Sequence, residues 1–433
     1  MMPYLFWALS LLLACDGRNN RTGETDPETD FIINEGLFQL SCKRADERHP
    51  RGPGTVFVVD WRVSLEAVDD AYIRFGRDAS YGARAETEDS GGVMRTVLLG
   101  LKPGREYHFQ LAVSKGGTLY HSEDHTIETG PATNLLTIDE FDVKDAAARE
   151  PGFIVLVSRD IAAIFDSDGE PVWWYRSPLG DLFSARMSYD ARSMWLIPRV
   201  DGFGGGATGP LERVTMDTYE TEVYDDVASS HDLTPVTGDV MAFIDYGSDR
   251  SARCANQVLE IDTGGRTRTI FDASDYLRDC HLNAVRYNEI EDIYTISDRG
   301  STIYMVSRSG DLRWKLSDVV DHAEYGGAQH GHHLLEESIL VFANEAVRDR
   351  SIVYEFGRKD GAVRSVYSAS ERSGTLGSVQ RLPGGNMLVT YSNAGAIHEV
   401  APDGRRVLEI QTDFLGYANW RASLYGPPDD VTY

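Results

Sequence analysis

The sequence has little cysteine, a shortage of positive charge and no long apolar run. Four cysteines occur in 433 residues, with no Cys-x-x-Cys pair and no cysteine–histidine spacing of a zinc site. Neither a metal site nor a disulfide-built miniature fold is expected. Lysine and arginine number 42 against 68 aspartates and glutamates, a formal net charge of −26. That balance argues against sequence-independent DNA or RNA binding, which needs a basic face. The acidity serves solubility, and any anion site must rest on local cations set against the overall field. No glycine-rich phosphate loop is present, so a nucleotide donor is not expected, and no cofactor is. The apolar run from Leu5 to Ala14 is too short to span a bilayer comfortably.

What is present begins with that run. It ends in Leu12-Leu13-Ala14-Cys15, which resembles a bacterial lipobox. The resemblance implies a signal peptide over residues 1–15, cleavage before Cys15 and acylation of its thiol. The chain would then be exported and membrane-anchored, facing the periplasm or the cell surface. Residues 16–33 form a polar tether. Three thiols remain, Cys42, Cys254 and Cys280. An oxidising compartment favours one disulfide and one odd thiol. Spacing leaves the pairing open; Cys254 with Cys280 is the pair expected, since both precede successive strands and would staple neighbouring loops.

Residues 34–131 read as a small β-sandwich. Val58-Val59-Asp60-Trp61-Arg62-Val63 and Ala71-Tyr72-Ile73-Arg74-Phe75-Gly76 both alternate, and Tyr107-His108-Phe109-Gln110-Leu111 follows a Lys102-Pro103-Gly104 turn. The Leu-Lys-Pro-Gly-x-x-Tyr run from Leu101 to Tyr107, with Trp61 on an early strand, resembles immunoglobulin-like domains of the fibronectin type III kind.

Residues 137–426 repeat. Strand-and-turn units end at Phe165, Val214, Ile261, Val306, Phe356 and Val400, in steps of 49, 47, 45, 50 and 44 residues. Four short strands per ~40–50 residues is the period of a β-propeller, and six units imply six blades. Acidic turns such as Asp166-Ser167-Asp168-Gly169 lack the fixed ligand spacing of a calcium loop and read as hairpin turns. The expected fold is all-β: a six-bladed propeller after a sandwich.

Each repeat opens with a hairpin whose first strand would line the central channel. His231, His281 and His330 stand at one phase of three successive repeats, 50 and 49 residues apart, and Ser378 holds the place in the next. Three of eleven histidines at one phase point to a joint site. Hairpin counting puts His281 opposite Asp298, or opposite Arg299 after a slip of one residue. The same counting puts Asp245 opposite His231 and Asn344 opposite His330, where they would orient the rings. Ordinary strand-end polarity accounts for Asp245 and Asn344 equally well.

His231-Asp-Leu-Thr-Pro235, Cys280-His-Leu-Asn-Ala-Val-Arg-Tyr-Asn288, Ile296-Ser-Asp-Arg299, Gln329-His330 with Leu340-Val-Phe-Ala-Asn344, and Gly377-Ser-Val-Gln-Arg-Leu-Pro-Gly-Gly-Asn386 resemble successive motifs of the bacterial arylsulfotransferase family. The resemblance runs through residues 137–426. It implies a catalytic set of His231, His281, Arg299 and His330, with His330 becoming sulfurylated. The segment departs from the family pattern at Phe342-Ala343-Asn344-Glu345, and its turn is one residue shorter, which leaves His333 as an alternative nucleophile. The implied substrates are a phenolic sulfate ester as donor and a phenol as acceptor. A neutral imidazole can attack sulfur without a metal, and a planar guanidinium can hold the sulfuryl oxygens. Two other readings stand beside this one: a non-catalytic propeller lipoprotein that binds an anionic ligand or partner protein, and a hydrolase using the same histidines. The sequence does not indicate an oligomeric state.

Overall fold

A computed structural model describes residues 16–17, 31–33, 36–48, 52–132, 138–200, 207–247, 253–300, 302–321, 328–347 and 350–431. Cys15 and the lipobox lie outside them. The chain is all-β and divides into two compact units, one running to Pro131 and the other from Ala132 onward, with Arg51–Pro53 grouped with the second.

In the first unit seven strands pair antiparallel in the order His125–Glu128, Glu106–Lys115, Asp70–Gly76, Ala83–Asp89, Met94–Leu98, Phe57–Val63 and Phe38–Arg44, while Phe31–Ile33 lies parallel to Thr118–His121. Alternation decides which side chains face inward. Ile73 and Phe75 are buried while Arg74 between them is not, and Phe109 and Leu111 join them from the neighbouring strand. Trp61 is 1% exposed and its indole N–H donates to Thr96 Oγ1 at 3.1 Å. The Tyr107 hydroxyl turns back to accept from Lys102 N at 2.9 Å, so the turn is locked by the side chain that follows it.

The second unit is a β-propeller-like arrangement of short antiparallel sheets. Their strands are buried along nearly their whole length, as for Leu282–Asn288 and Ile293–Asp298, because both faces of each sheet are covered. Neighbouring sheets share one apolar layer: Val258, Phe271 and Ile244 pack with Leu282, Val285, Tyr294 and Tyr304. The innermost strands Leu182–Met187, Thr221–Pro235, Leu282–Asn288, Gln329–Leu334, Ser378–Arg381 and Leu415–Arg421 follow one another around a closed ring. The last of them pairs with Phe153–Ser158, Ile154 opposite Trp420, so the end of the repeat region is bonded to its beginning. Asp166 Oδ1 accepts from Asp168 N and Glu170 N, both at 2.9 Å, as a hairpin turn requires.

Among the described residues, Cys254 and Cys280 form a disulfide with Cα atoms 5.0 Å apart. Cys42 sits half-buried on Phe38–Arg44 in the other unit.

Candidate functional site

Four inner strands carry a register shift near the same end: between Leu182 and Ser184, Ser230 and Leu233, Leu282 and Ala284, and Gln329 and His332. A bulge puts extra residues on one strand and re-aims their side chains. His231 lies in the second bulge with φ 55°, a left-handed conformation that costs a non-glycine residue ~1–3 kcal/mol. Leu376, in the segment before Ser378–Arg381, has φ 55° as well. The surrounding fold holds both residues in strained positions on the wall of one cavity.

That cavity encloses about 130 Å³ and is lined by Phe183, Arg199, His231, His281, Arg299, His330, Thr375, Leu376 and Phe414. The His231 ring lies edge-on to His281, centroids 5.0 Å apart, and 6.1 Å from His330. Phe183 stacks on His231 at 5.2 Å with the planes 10° apart. Arg299 stands opposite His281, its N–H donating to His281 O at 2.9 Å. Among the described residues no carboxylate pairs with the Arg299 guanidinium, whereas Arg199 is paired with Asp181 at 3.0 Å.

Hydrogen bonding sets the tautomers. Both N–H bonds of the Asn344 amide donate to backbone carbonyls, Ser373 O and Leu376 O, each at 2.7 Å. Its Oδ1 therefore faces His330 Nδ1, 2.6 Å away, and can only accept. His330 Nδ1 carries the proton and Nε2 keeps its lone pair. The same argument applies to His231. Ser230 Oγ donates to Ala207 O at 2.7 Å and Tyr246 OH donates to Leu282 O at 2.8 Å. Both oxygens then accept from His231 Nδ1, at 2.9 and 3.2 Å.

Burial keeps these rings neutral. Desolvation is the main cause that pushes His330 down to about 3, with His281 and Arg299 adding to it against the bond to Asn344. Desolvation holds His231 well below its ordinary value, helped by His281, His330 and Arg299. His281 is lowered too, by desolvation first and then Arg299, while Asp298 opposes. It is only half-buried, so it has the readiest exchange with solvent. The cavity thus offers two bare imidazole nitrogens, a third imidazole near water and a guanidinium.

Several expectations need correction. Asp245 does not orient His231: it pairs with Ser229 and its carboxylate accepts from Ala228 N and Gly247 N at 2.8 and 2.6 Å. The counted register holds from Leu233 to Pro235 and fails at the bulge beyond. Of the two alternatives for His281, Arg299 is the residue opposite; Asp298 pairs with Leu282 and its Oδ1 accepts from His281 N at 2.7 Å. Asn344 bonds through its backbone to Ala328, not His330, and reaches the ring with its side chain. His333 is turned away from the cavity, its Nδ1 accepting from Arg381 N at 2.9 Å. His332 is buried against Thr295 Oγ1 at 2.8 Å.

Tyr246, Ser230, Thr375, Leu376, Arg199 and Phe414 were not singled out by sequence reasoning. Phe183 had a signal, standing 48 residues before His231 at the shared phase.

No protein-family model matches the chain, and no curated protein does. Among solved structures, a protein of unknown function from Bacteroides caccae is 13% identical with TM-score 0.45, over 62% of this chain and 98% of its own. A streptogramin B lyase is 9% identical with TM-score 0.43, over 65% and 98%. A virginiamycin B lyase from Staphylococcus aureus is 11% identical with TM-score 0.41, over 62% and 88%.

Proposed function

We propose that this protein is an aryl sulfate sulfotransferase that moves a sulfuryl group from a phenolic sulfate ester to a phenol through a sulfohistidine. The observation that carries the reading is the gathering of three imidazoles and one guanidinium on one cavity, with His330 Nε2 left as a bare lone pair. His330 Nε2 attacks sulfur and the bond from sulfur to the aryl oxygen breaks, the phenolate leaving with the electron pair. The ring becomes cationic, and Asn344 Oδ1 accepts from its Nδ1–H throughout. That positive charge keeps the new N–S bond labile. Arg299 holds the sulfuryl oxygens, which bear the charge of the transition state. The departing phenolate takes its proton from solvent, and His281, the neutral imidazole nearest solvent, takes one from the incoming phenol. His231 Nε2, likewise a bare lone pair, stands beside it as a second acceptor for that proton. The cavity's 130 Å³ is a little below the ~150 Å³ of a cavity that holds benzene, so it takes at most one aryl ring. Phe183 and Phe414 offer that ring apolar faces.

The same reading assigns the repeat region to six blades and the preceding unit to an immunoglobulin- or fibronectin type III-like sandwich. It assigns the chain to an exported lipoprotein anchored at Cys15. The partners are then the donor, the acceptor and the membrane surface.

The test is purified protein with 4-nitrophenyl sulfate, with and without a phenol. Without phenol the protein gains the mass of one sulfuryl group; adding phenol removes it; His330→Ala never gains it. Release of sulfate to water at the same rate with or without phenol replaces transfer by hydrolysis. Binding with no mass gain replaces the enzyme by a binding platform.

A further inference from the structure

A second cluster of ligating groups lies away from the cavity. His398 on Ala396–Val400 stands directly opposite Glu409 on Arg406–Gln411, so their side chains leave the sheet on one face. Glu371 comes to the same place from the segment that precedes Ser378–Arg381. One ligand atom from each of Glu371, His398 and Glu409 lies within 4.8 Å of the others. His398 is 0% exposed and its Nε2 has no hydrogen-bond partner. A buried nitrogen without a partner is costly, and such groups call for a missing water or ion. Nε2 is 3.7 Å from Glu371 Oε1, too long for a hydrogen bond. Two ligands at ~2.0–2.2 Å on a tetrahedral ion stand ~3.3–3.6 Å apart, so that spacing is nearly the one needed. On the far side of the ring, Nδ1 lies 3.2 Å from the Tyr367 hydroxyl, which can accept its proton and fix the tautomer a metal requires.

We infer that Glu371, His398 and Glu409 form a binding site for a divalent transition ion of the zinc class, with one imidazole and two carboxylates as the protein ligands. Two cations compete for it. Arg406 Nη1 lies 2.9 Å from Glu409 and 3.6 Å from Glu371, and Lys144 Nζ lies 3.2 Å from Glu409. Their side chains are 28% and 38% exposed, so both can swing into water when the ion enters. The bound ion ties Glu371 to the sheet. Glu371 begins the segment whose Ser373 and Leu376 carbonyls hold Asn344, so the ion stiffens one wall of the cavity. The site is independent of the reaction proposed above.

Titration of tag-free, full-length protein with ZnCl₂, read by calorimetry and by melting temperature, tests the site. One equivalent binds and raises the melting temperature by several degrees; MgCl₂ does not. Glu371→Gln, a partly exposed position that spares the core, weakens binding on the order of 100-fold, the upper cost of losing even a group that merely orients a ligand. His398→Gln does the same where it folds. Arg406→Gln tightens binding on the order of 10-fold or more, because it removes a repelling charge about 4 Å away. Absence of stoichiometric binding in the native chain, or equal affinity in Glu371→Gln, overturns the site. So does weaker binding in Arg406→Gln.

Discussion

Lowering the pH should unfold the second unit before it silences the nucleophile. His231, His330, His332 and His333 are all buried within it. Desolvation pushes His330 and His332 down to about 3 and His333 to about 4, and holds His231 well below its ordinary value. In the unfolded chain each titrates near ~6.5. Below that pH the unfolded chain takes up protons that the native chain refuses, so stability is fully present above ~6.5 and falls as the pH falls. At pH 5.5 each of the rings held at about 3 or 4 costs ~1.4 kcal/mol, the three together about 4 kcal/mol, and His231 adds in the same direction. A whole domain commonly has only ~5–15 kcal/mol to lose. Burial raises Glu212 and Glu399, which work in the opposite direction. Asp430, held down to about 2 beside Arg186 and Arg286, adds its loss only below the ordinary carboxylate range. Urea unfolding followed by tryptophan fluorescence at pH 7.5, 6.5 and 5.5 measures the slope. His332→Gln should remove about one proton from it, a change of ~1.4 kcal/mol per unit. The sulfurylation rate per folded molecule should stay level through pH 6.5, because His330 remains unprotonated there. Equal stability at pH 7.5 and 5.5 would refute the account of the buried rings.

Other outcomes follow from single contacts. Asn344→Leu frees His330 Nδ1–H, leaves Leu376 O without its donor and leaves Ser373 O with only the Ser351 hydroxyl at 3.2 Å; sulfurylation should slow ~10–100-fold, as for other groups that orient a ring, and urea unfolding should show a loss of ~1–3 kcal/mol for the orphaned carbonyl. Arg299→Ala should slow sulfurylation ~10²–10³-fold in stopped-flow release of 4-nitrophenolate, and Arg299→Lys should recover only part, since an ammonium lacks the planar fork. Removing the Cys254–Cys280 disulfide by a double serine substitution should lower stability by ~2–4 kcal/mol without abolishing the sulfuryl label, because it closes a loop beside His281 and contributes no group to the cavity.

The sequence by itself determined the repeat. Alternating apolar strands at a regular step, with turns of Asp, Gly and Pro between them, demand stacked sheets that bury each other's faces. The shared phase of His231, His281 and His330 marked three side chains that a cyclic arrangement carries to one end, and the structure brings them together. Tertiary structure decided the rest. A bulge adds residues to one strand without leaving any mark in the apolar pattern, so counting across a hairpin worked at Leu233 and failed at Ser229. Asp245 thereby lost its place beside His231, and Tyr246 and Ser230 took it. Alternation puts His330 and His332 on one face and cannot separate them; the bulge at Gly331 turned the first to the cavity, and His332 and His333 into the core. Which nitrogen of His330 carries its proton depends on Asn344, and Asn344 is fixed by carbonyls of Ser373 and Leu376, about thirty residues further along the chain. Hydrogen bonds between such distant segments exist only once the ring has closed, and no local pattern encodes them.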